Sequence, residues 1–182
     1  MPKCVNLNKL ITDKKRKKFT RCGDIKLMFD TQSILNNLTA RIRRPDTVFV
    51  MGCAAWFTNS RIIKALSELK GVSIICTRDK VARLKSTKLK YRTLPQHDGI
   101  PTVLVVGCGR GRKASLMHHK FLIGMNEKQM PIWVSTGSFN LTESATSNIE
   151  NMMIIENKEV AKAYLDEFQR LYPVAKKLSL KV

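Results

Sequence analysis

Five polar residues in the second half of the chain have the chemical types that phosphodiester cleavage requires. They are His118, Lys120, Ser138, Asn140 and Glu150. Side chains alternate between faces in an extended segment, so His118 and Lys120 point the same way, as do Ser138 and Asn140. His118 can attack phosphorus, while Lys120 and the Asn140 amide can stabilise charge on the non-bridging oxygens. The spacing predicts a nucleophile beside a cation, and this arrangement needs no metal or cofactor.

Glu150 and Ser138 complete the predicted site, although each also has a structural interpretation. Glu150 is predicted to hold the second ring nitrogen of His118 and so fix its tautomer, but a capping or surface role before a strand is the alternative. Ser138 either binds phosphate or closes a turn. Of the other histidines, His119 is predicted to face the opposite side of the strand, and His97 to occupy a turn without a catalytic role.

The order of these residues resembles the signature of the phospholipase D superfamily, which is H-x-K-x4-D followed at a distance by G-S-x-N. The matching residues are His118-x-Lys120 and Gly137-Ser138-x-Asn140. The flanking residues are most similar to the small bacterial nuclease branch. This resemblance implies cleavage through a covalent phosphohistidine on His118, with Lys120, Asn140 and Glu150 as the other catalytic residues.

The resemblance extends upstream of the motif but includes one departure. Segments 55–58, 62–66 and 70–75 are similar to those nucleases, so the resemblance spans roughly residues 30 to 172. After Lys120 and four intervening residues the family has an aspartate, whereas this chain has Met125. Because the family's aspartate is expected to support the motif structurally, its replacement is compatible with an active enzyme, a weakened one or an inactive descendant.

One H-x-K motif is present, whereas the active site of the family uses two. Cleavage through histidine also needs a second group that protonates the leaving oxygen and later activates water. The single copy resembles the small nucleases that form a two-fold dimer to which each subunit lends one motif. The resemblance therefore implies a homodimer with the active site, including His118 of both copies, at the two-fold interface.

The composition is strongly basic. The 182 residues include 33 Lys plus Arg and 14 Asp plus Glu, which gives a formal net charge of +19. Such a field attracts polyanions, so nucleic acid, either DNA or RNA, is the first predicted partner and an anionic membrane surface is the second. A ribosome-associated or merely soluble basic protein is the alternative that the catalytic pattern disfavours.

Basic residues upstream of the motif are predicted to contact the phosphate backbone. The predicted substrate-binding residues are Ser138, Arg83, Lys85, Arg110, Arg112 and Lys113. The basic run at 78–92 follows a strand, where loops of α/β sheets commonly build ligand sites, although a solvated charged face is the alternative. Trp56 is either a stacking platform or a buried residue. The run Lys14–Lys18 is either a solvated tail or a nucleic-acid arm.

Apolar periodicity predicts one phospholipase D-like α/β domain at residues 25–182, preceded by a basic arm at 1–24. Helices are predicted from Asp30 to Pro45, at 59–69 with a stop at Gly71, and at 160–171. Strands are predicted at 47–51, 72–76, 102–106 and 152–155, together with a hairpin of 116–123 and 132–136 that turns at 126–129. The alternation of strands and helices predicts a mixed, mainly parallel sheet flanked by helices on both faces.

The cysteines and the N-terminus indicate the cellular compartment in which the protein is expected. The 5 cysteines show neither C-x-x-C nor metal-ligand spacing, and Cys53, Cys76 and Cys108 lie in or beside apolar strand-like runs, where buried thiols are ordinary. A reducing compartment is therefore expected. The N-terminus lacks the pattern of a secretory signal, and no apolar run approaches the roughly 20 residues of a membrane-spanning helix. A cytoplasmic location, or a nuclear one in a nucleated cell, is therefore expected.

These observations predict a metal-independent phosphodiesterase that acts on DNA or RNA with little sequence preference. Two alternatives stay open. One is the same chemistry on a phospholipid such as cardiolipin, which resemblance to the animal mitochondrial branch allows. The other is a nucleic-acid-binding protein that keeps the fold without the chemistry.

Overall fold

Apolar strands build a single sheet in the part of the chain that the computed structural model describes, residues 19–79, 82, 84–107 and 116–181. Nine strands of these residues pair in the order β1-β2-β8-β7-β6-β3-β4-β5-β9. Their bounds are β1 (Phe19–Cys22), β2 (Ile25–Met28), β3 (Phe49–Ala54), β4 (Gly71–Thr77), β5 (Val103–Val106), β6 (Lys120–Met125), β7 (Pro131–Gly137), β8 (Met152–Ile155) and β9 (Lys176–Lys177). Every residue of β4, β5 and β6 is buried, so these strands form the centre of the core.

The strand directions correct one part of the predicted fold class. The mixed α/β architecture is confirmed, but only the pairings of β4 with β3 and with β5 are parallel among the described strands. The other pairings are antiparallel. A helical crossover returns the chain in the same direction, and the neighbouring strands that such crossovers join are β3, β4 and β5. Because β6, β7 and β8 follow one another through turns and loops, the sheet is mostly antiparallel rather than mainly parallel.

The predicted hairpin of β6 and β7 is confirmed. The strands are antiparallel, with Phe121 opposite Thr136 and Ile123 opposite Val134. In the turn between them, the side-chain oxygen of Asn126 accepts hydrogen bonds from the backbone N–H groups two and four residues later, both at 3.0 Å. This short-range hydrogen bonding is a common means by which asparagine closes a turn.

Four α-helices lie in the described residues, at α1 (Thr31–Ile42), α2 (Ser60–Leu66), α3 (Lys85–Tyr91) and α4 (Lys158–Leu171). The predicted cap of α1 is confirmed, since the Asp30 carboxylate accepts a hydrogen bond from Ser33 N at 2.6 Å. Asn59 and Asn157 cap α2 and α4 in the same way. The predicted stop at Gly71 is wrong: α2 ends at Leu66, and Gly71 begins β4.

Helices cover both faces of the sheet, as predicted. Apolar residues of α1, α2 and α3 pack in one cluster, which includes Val50 and Ala54 of β3. Residues of α4 pack in a second cluster, which includes Phe49 and Cys53 of the same strand. Alternate residues of β3 therefore contribute to opposite sides of the sheet, as the pleat requires.

The two outer edges of the sheet are elements that apolar periodicity did not predict. β1 pairs with β2, which joins the sheet through β8. Phe19–Cys22 belongs to the predicted arm at 1–24 but forms this edge strand, while the basic run Lys14–Lys18 lies outside the described residues. At the other edge, β9 pairs with β5.

Candidate active site

Several strands begin or end along the same row of strand termini, which runs across the sheet. We call this row of termini, as distinct from the outermost strands, the active edge. β3, β4, β5 and β7 end there, and β6 and β8 begin there. The residues at these strand ends are Ala54, Thr77, Val106, Gly137, Lys120 and Met152. The predicted catalytic residues precede β6 or β8, begin β6, or follow β7. The antiparallel order of the sheet therefore brings segments that are distant in the chain to one edge.

His118 and Lys120 lie side by side at this edge. Lys120 is only 9% exposed, whereas His118 is exposed. Lys120 Nζ lies 3.1 Å from His118 Nδ1 and donates a hydrogen bond to the His118 carbonyl oxygen at 2.8 Å. A nearly buried cation is thus held against a solvent-accessible imidazole, a pairing that can bring a phosphate oxygen and a nucleophile together.

The direction of this contact sets the histidine tautomer. An ammonium group only donates, so Nδ1 accepts and a neutral His118 carries its proton on Nε2. No side chain among the described residues forms a hydrogen bond with Nε2. Attack through Nε2 requires the opposite tautomer, in which Nδ1–H faces an acceptor.

The charge of Lys120 is only partly compensated. Burial lowers the pKa of its ammonium group, and the nearby carboxylate of Glu150 acts in the opposite direction. A cation that has lost hydration without gaining a full partner binds an anion more favourably than a solvated one. The local electrostatics therefore suit a phosphate.

Trp56 and Asp79 are site residues whose roles the sequence did not reveal. The Trp56 ring meets the His118 ring edge to face, with centroids 5.5 Å apart and planes at 82°. Its indole N–H donates to the Asp79 carboxylate at 2.6 Å, and the other oxygen of that carboxylate accepts from Ala82 N at 3.0 Å. Asp79 thus fixes the indole, and the indole limits how the His118 ring can turn. Only the position of both residues just beyond strands could have suggested this role.

The Gly-Ser-Phe-Asn segment forms a tight turn after β7. Ser138 N and Phe139 N both donate to the Asn151 carbonyl oxygen, at 3.1 and 3.2 Å. A Cβ on Gly137 would lie 2.3 Å from that oxygen, so only glycine allows this close approach. Phe139 is fully buried and anchors the turn in the core.

Glu150 contacts Ser138 rather than His118. The Ser138 hydroxyl donates to the Glu150 carboxylate and accepts from Asn151 N at 3.0 Å. The Asn148 amide donates to the other Glu150 oxygen at 3.2 Å. Within the described part of a single chain, Glu150 makes no hydrogen bond with His118, so the expected orienting contact is absent there.

Asn140 holds an unpaired polar group. Its Oδ1 is buried and has no hydrogen-bond partner among the described residues. Such atoms are uncommon in folded proteins. The next residue ties the turn to the segment after Trp56, since Thr58 N and Asn59 N donate to the Leu141 carbonyl oxygen at 2.8 and 2.9 Å. The Asn140 amide also carries two N–H donors. Since its Oδ1 is unpaired as well, the amide can form hydrogen bonds with a ligand.

His119 points towards α4, whereas the neighbouring His118 contacts Lys120. Its Nε2 lies 3.0 Å from Glu167, which also pairs with Arg170 at 2.7 Å. The Arg170 hydrogen bond and then the His119 hydrogen bond lower the pKa of Glu167 to about 2. These contacts attach α4 to the segment that carries His118.

Comparison with known proteins identifies the fold family. A family model described as cardiolipin synthase, PLD-like domain, matches residues 23–172. The chain belongs to this phospholipase D-like family. An uncharacterized protein of Acanthamoeba polyphaga mimivirus is 27% identical to it, over 93% of this chain and 72% of that protein.

Two solved structures share the fold of this phospholipase D-like domain. Nuc from Salmonella typhimurium, a phospholipase D family member, has a TM-score of 0.62 at 21% identity, covering 85% of this chain and 97% of that chain. NucT from Helicobacter pylori has a TM-score of 0.68 at 17% identity, covering 85% of this chain and 98% of that chain. At these identities the likeness shows the fold alone.

Met125, the departure from the family signature, lies at the far end of β6 from Lys120. β6 pairs with β3 so that Lys120 is opposite Ala54 and Met125 is opposite Phe49. Met125 is five positions along the strand from Lys120, a distance of about 17 Å. Met125 is 4% exposed and packs in the apolar cluster under α4. The substitution in this phospholipase D-like domain is therefore a core change, remote from the His118 ring.

His97 also lies at that far end. Its ring stacks at a tilt on Phe49, with centroids 4.5 Å apart, and its Nε2 lies 2.9 Å from Asp98. His97 is thus about 17 Å from the active edge, measured along β3. The predicted position of His97 in a turn is confirmed, whereas its lack of a catalytic role stays a prediction.

The predicted basic contacts are only partly described. Lys85 is exposed at the start of α3. Arg83, Arg110, Arg112 and Lys113 lie outside the described residues. Their predicted contact with substrate stays a prediction.

The remaining features concern thiols, metals and membranes. Burial raises the pKa of Cys53 and raises that of Cys76 to about 12, so both thiols are unreactive core residues.

In the described ranges, no group of three or more His, Cys, Asp or Glu side chains is arranged to hold a metal ion. None of the helices described above has the length and apolar character needed to cross a membrane.

Proposed function

We propose that this domain is a metal-independent phosphodiesterase that cleaves DNA or RNA through a covalent phosphohistidine, with its active site shared between two copies of the chain. The exposed His118 beside the nearly buried Lys120 supports this proposal most strongly. The net charge of +19 favours a polyanion, which presents many phosphates, over a lipid headgroup.

The proposed reaction has two displacements at phosphorus. In the first, Nε2 of His118 bonds to phosphorus, the bond to the leaving oxygen breaks, and a second, protonated imidazole gives that oxygen its proton. In the second, the same imidazole, now neutral, takes a proton from water while the water oxygen displaces His118. Lys120 and the Asn140 amide stabilise the non-bridging oxygens in both steps.

The second imidazole has to come from another copy of the chain. The sequence has 3 histidines. His119 is paired with Glu167, and His97 lies at the far end of β3. A two-fold contact across the active edge would place two His118 rings on either side of one phosphate.

The same contact can supply the missing acceptor for Nδ1. Glu150 makes no hydrogen bond to His118 of its own chain but lies close enough to influence Lys120. We therefore assign Glu150 as the acceptor that holds a His118 ring in the reactive tautomer once two copies meet. Ser138 would hold that carboxylate in position.

Cleavage of labelled DNA and RNA, single- and double-stranded, in excess EDTA tests this function. We expect turnover by the native chain and its loss in His118→Ala and in Lys120→Ala, while His119→Ala, which changes the neighbouring histidine, retains turnover. Acid quenching during turnover should destroy a labelled enzyme adduct that alkaline quenching preserves. Binding without cleavage under every condition would instead support a non-catalytic nucleic-acid-binding protein.

The description of the matching family as cardiolipin synthase favours phospholipid as the second candidate substrate. The same preparations can be offered vesicles that contain cardiolipin. Release of phosphatidic acid at a rate above that of nucleotide release would replace the nuclease assignment, whereas unchanged vesicles would exclude the lipid.

A further inference from the structure

A basic groove leads away from the active edge along β5. It lies between α3 and the C-terminal segment 176–181, and Lys177, Leu178 and Ser179 line it over its length. Cations on its walls are Arg78, Lys88, Arg92, Lys176, Lys177 and Lys181. We call this feature the C-terminal groove.

The C-terminal segment is held so that its lysines face outward. Leu178 N donates to the Val103 carbonyl oxygen at 3.0 Å, Leu178 is buried, and Leu180 packs against the core. In an extended segment the alternate residues then face solvent. Lys177 and Lys181 are accordingly exposed.

The groove keeps a positive charge that the described residues do not neutralise. Lys88 Nζ and Arg92 Nε donate to backbone oxygens of Lys181 and Leu180, at 2.9 and 3.0 Å, which joins the two walls. No acidic side chain described in the structure forms an ion pair with Lys177 or Lys181. Asp79 lines the groove, but both of its oxygens already accept hydrogen bonds.

One end of the groove reaches the catalytic residues. Asp79 holds Trp56, and Trp56 contacts His118. β9 begins opposite Val105, next to the end of β5 at the active edge, and the chain then runs away from that edge. An extended segment from Lys176 to Lys181 spans about 17 Å, enough to follow several successive phosphates but far longer than one headgroup.

We propose that the C-terminal groove binds the phosphate backbone of a nucleic-acid strand whose cleaved phosphate lies at His118. The position of the cleaved phosphate rests on the proposed function, whereas the groove's affinity for a strand does not. A row of cations without aromatic side chains binds the charged backbone and does not distinguish the bases. The affinity of the groove therefore depends on the length of the strand and not on its sequence.

The test compares two double variants that lose the same charge. Lys177→Gln/Lys181→Gln changes the groove, and Lys128→Gln/Lys158→Gln changes two exposed lysines of the β6–β7 turn and of the start of α4. Hydrolysis of a long oligonucleotide and of bis(p-nitrophenyl) phosphate, which has no strand to fill the groove, is measured in EDTA for both. Binding of the labelled oligonucleotide is measured over a range of salt concentrations.

The groove variant should have a KM for the oligonucleotide about tenfold higher, with hydrolysis of the small diester unchanged. Its plot of log binding constant against log salt should be shallower by about 1.4 for a single strand, and Lys177→Arg/Lys181→Arg should restore the native slope. The control variant should resemble the native chain in both respects.

Equal behaviour of the two Gln variants towards the oligonucleotide would overturn the groove while leaving the catalytic proposal intact. The groove assignment would also be overturned if the groove variant no longer bound anionic vesicles but still bound the oligonucleotide as the native chain does. If the native chain cleaves neither substrate, the catalytic proposal fails, and the difference in salt slope between the two variants still decides whether the groove binds a strand.

Discussion

At the residue scale, the proposed chemistry depends on how the His118 imidazole ring is held. His118 contacts Lys120 through Nδ1, and its ring lies nearly perpendicular to the Trp56 ring. The lysine could be inferred from spacing because two residues of an extended segment share a face. Trp56 could not, because its position depends on a hydrogen bond to Asp79, which follows a different strand.

Activity should fall at high pH when Lys120 loses its proton. Because burial lowers the pKa of this ammonium group, we expect the alkaline fall in kcat/KM to lie below pH 10.5, the ordinary value for lysine. A bound phosphate favours the charged form, so the corresponding fall in kcat should lie at higher pH than the fall in kcat/KM. Because the proposed mechanism also needs a protonated imidazole, which gives an alkaline fall of its own, the contribution of Lys120 is obtained by comparison: Lys120→Arg, which stays charged, should lack the part of the fall that depends on Lys120, while its rate is lower. Persistence of the same alkaline fall in Lys120→Arg would show that another group causes it.

Trp56 should act as a positioning residue. Trp56→Phe keeps an aromatic edge near His118 but loses the hydrogen bond to Asp79, so we expect kcat to fall by roughly tenfold while KM for the small diester stays the same. Asp79→Asn, which retains an oxygen acceptor for the indole, should be nearer to the native chain. A rise in KM for oligonucleotides with unchanged kcat would instead indicate that the ring stacks on a base.

At the element scale, β6 separates the end of the motif that carries the candidate catalytic residues from a core position. Lys120 and Met125 begin and end the same strand, and both are buried. The signature alone could not show this separation, since it gives residue spacing but not which end of the strand faces the active edge. The antiparallel pairing of β6 with β3 supplies that information.

Restoring the family aspartate should therefore cost stability without increasing activity. Met125→Asp places a carboxyl group among apolar side chains, and we expect the free energy of unfolding to fall by about 3 kcal/mol. Met125→Leu, which conserves volume, should cost less than about 1.5 kcal/mol. Denaturant unfolding and kcat measured on both variants check this expectation. An increase in kcat on introducing aspartate would mean that the far end of β6 controls the site.

The stability that Glu167 contributes by attaching α4 to the segment that carries His118 should depend on pH. The folded-state pKa of Glu167 is lowered from 4.5 to about 2, first by Arg170 and then by His119. A depressed carboxyl pKa stabilises the fold above the unfolded value and loses that effect as pH falls through the folded value. The stability difference between the native chain and Glu167→Gln should thus be largest above pH 4.5 and should close towards pH 2. Thermal unfolding at several pH values measures it, and a constant difference would contradict this role.

At the scale of the whole molecule, local and long-range features differ in how far sequence predicts them. The Asp30 cap and the Asn126 turn depend on neighbours a few residues away and were predicted. The pairing of β2 with β8 joins Ile25 to Ile155, and no local pattern encodes such a register. The same limit explains why Glu150 was expected at His118 but lies on Ser138.

Two copies should be needed for each active site. If so, a 1:1 mixture of native and His118→Ala chains, unfolded and refolded together, should retain about one quarter of the activity of the same total amount of native chain, because only native–native pairs carry both histidines. Retention of one half would indicate that each copy works alone. Refolding each protein separately before mixing supplies the control.

The sheet order also has a consequence for synthesis of the chain. β6 begins at Lys120, just after His118, but the active edge is complete only when β7 and β8 have paired and Glu150 has joined them. Pairings between strands so far apart in sequence form slowly, and a chain still on the ribosome lacks its last strands. A nascent chain therefore carries His118, the proposed nucleophile, well before it carries the completed active edge that would orient it.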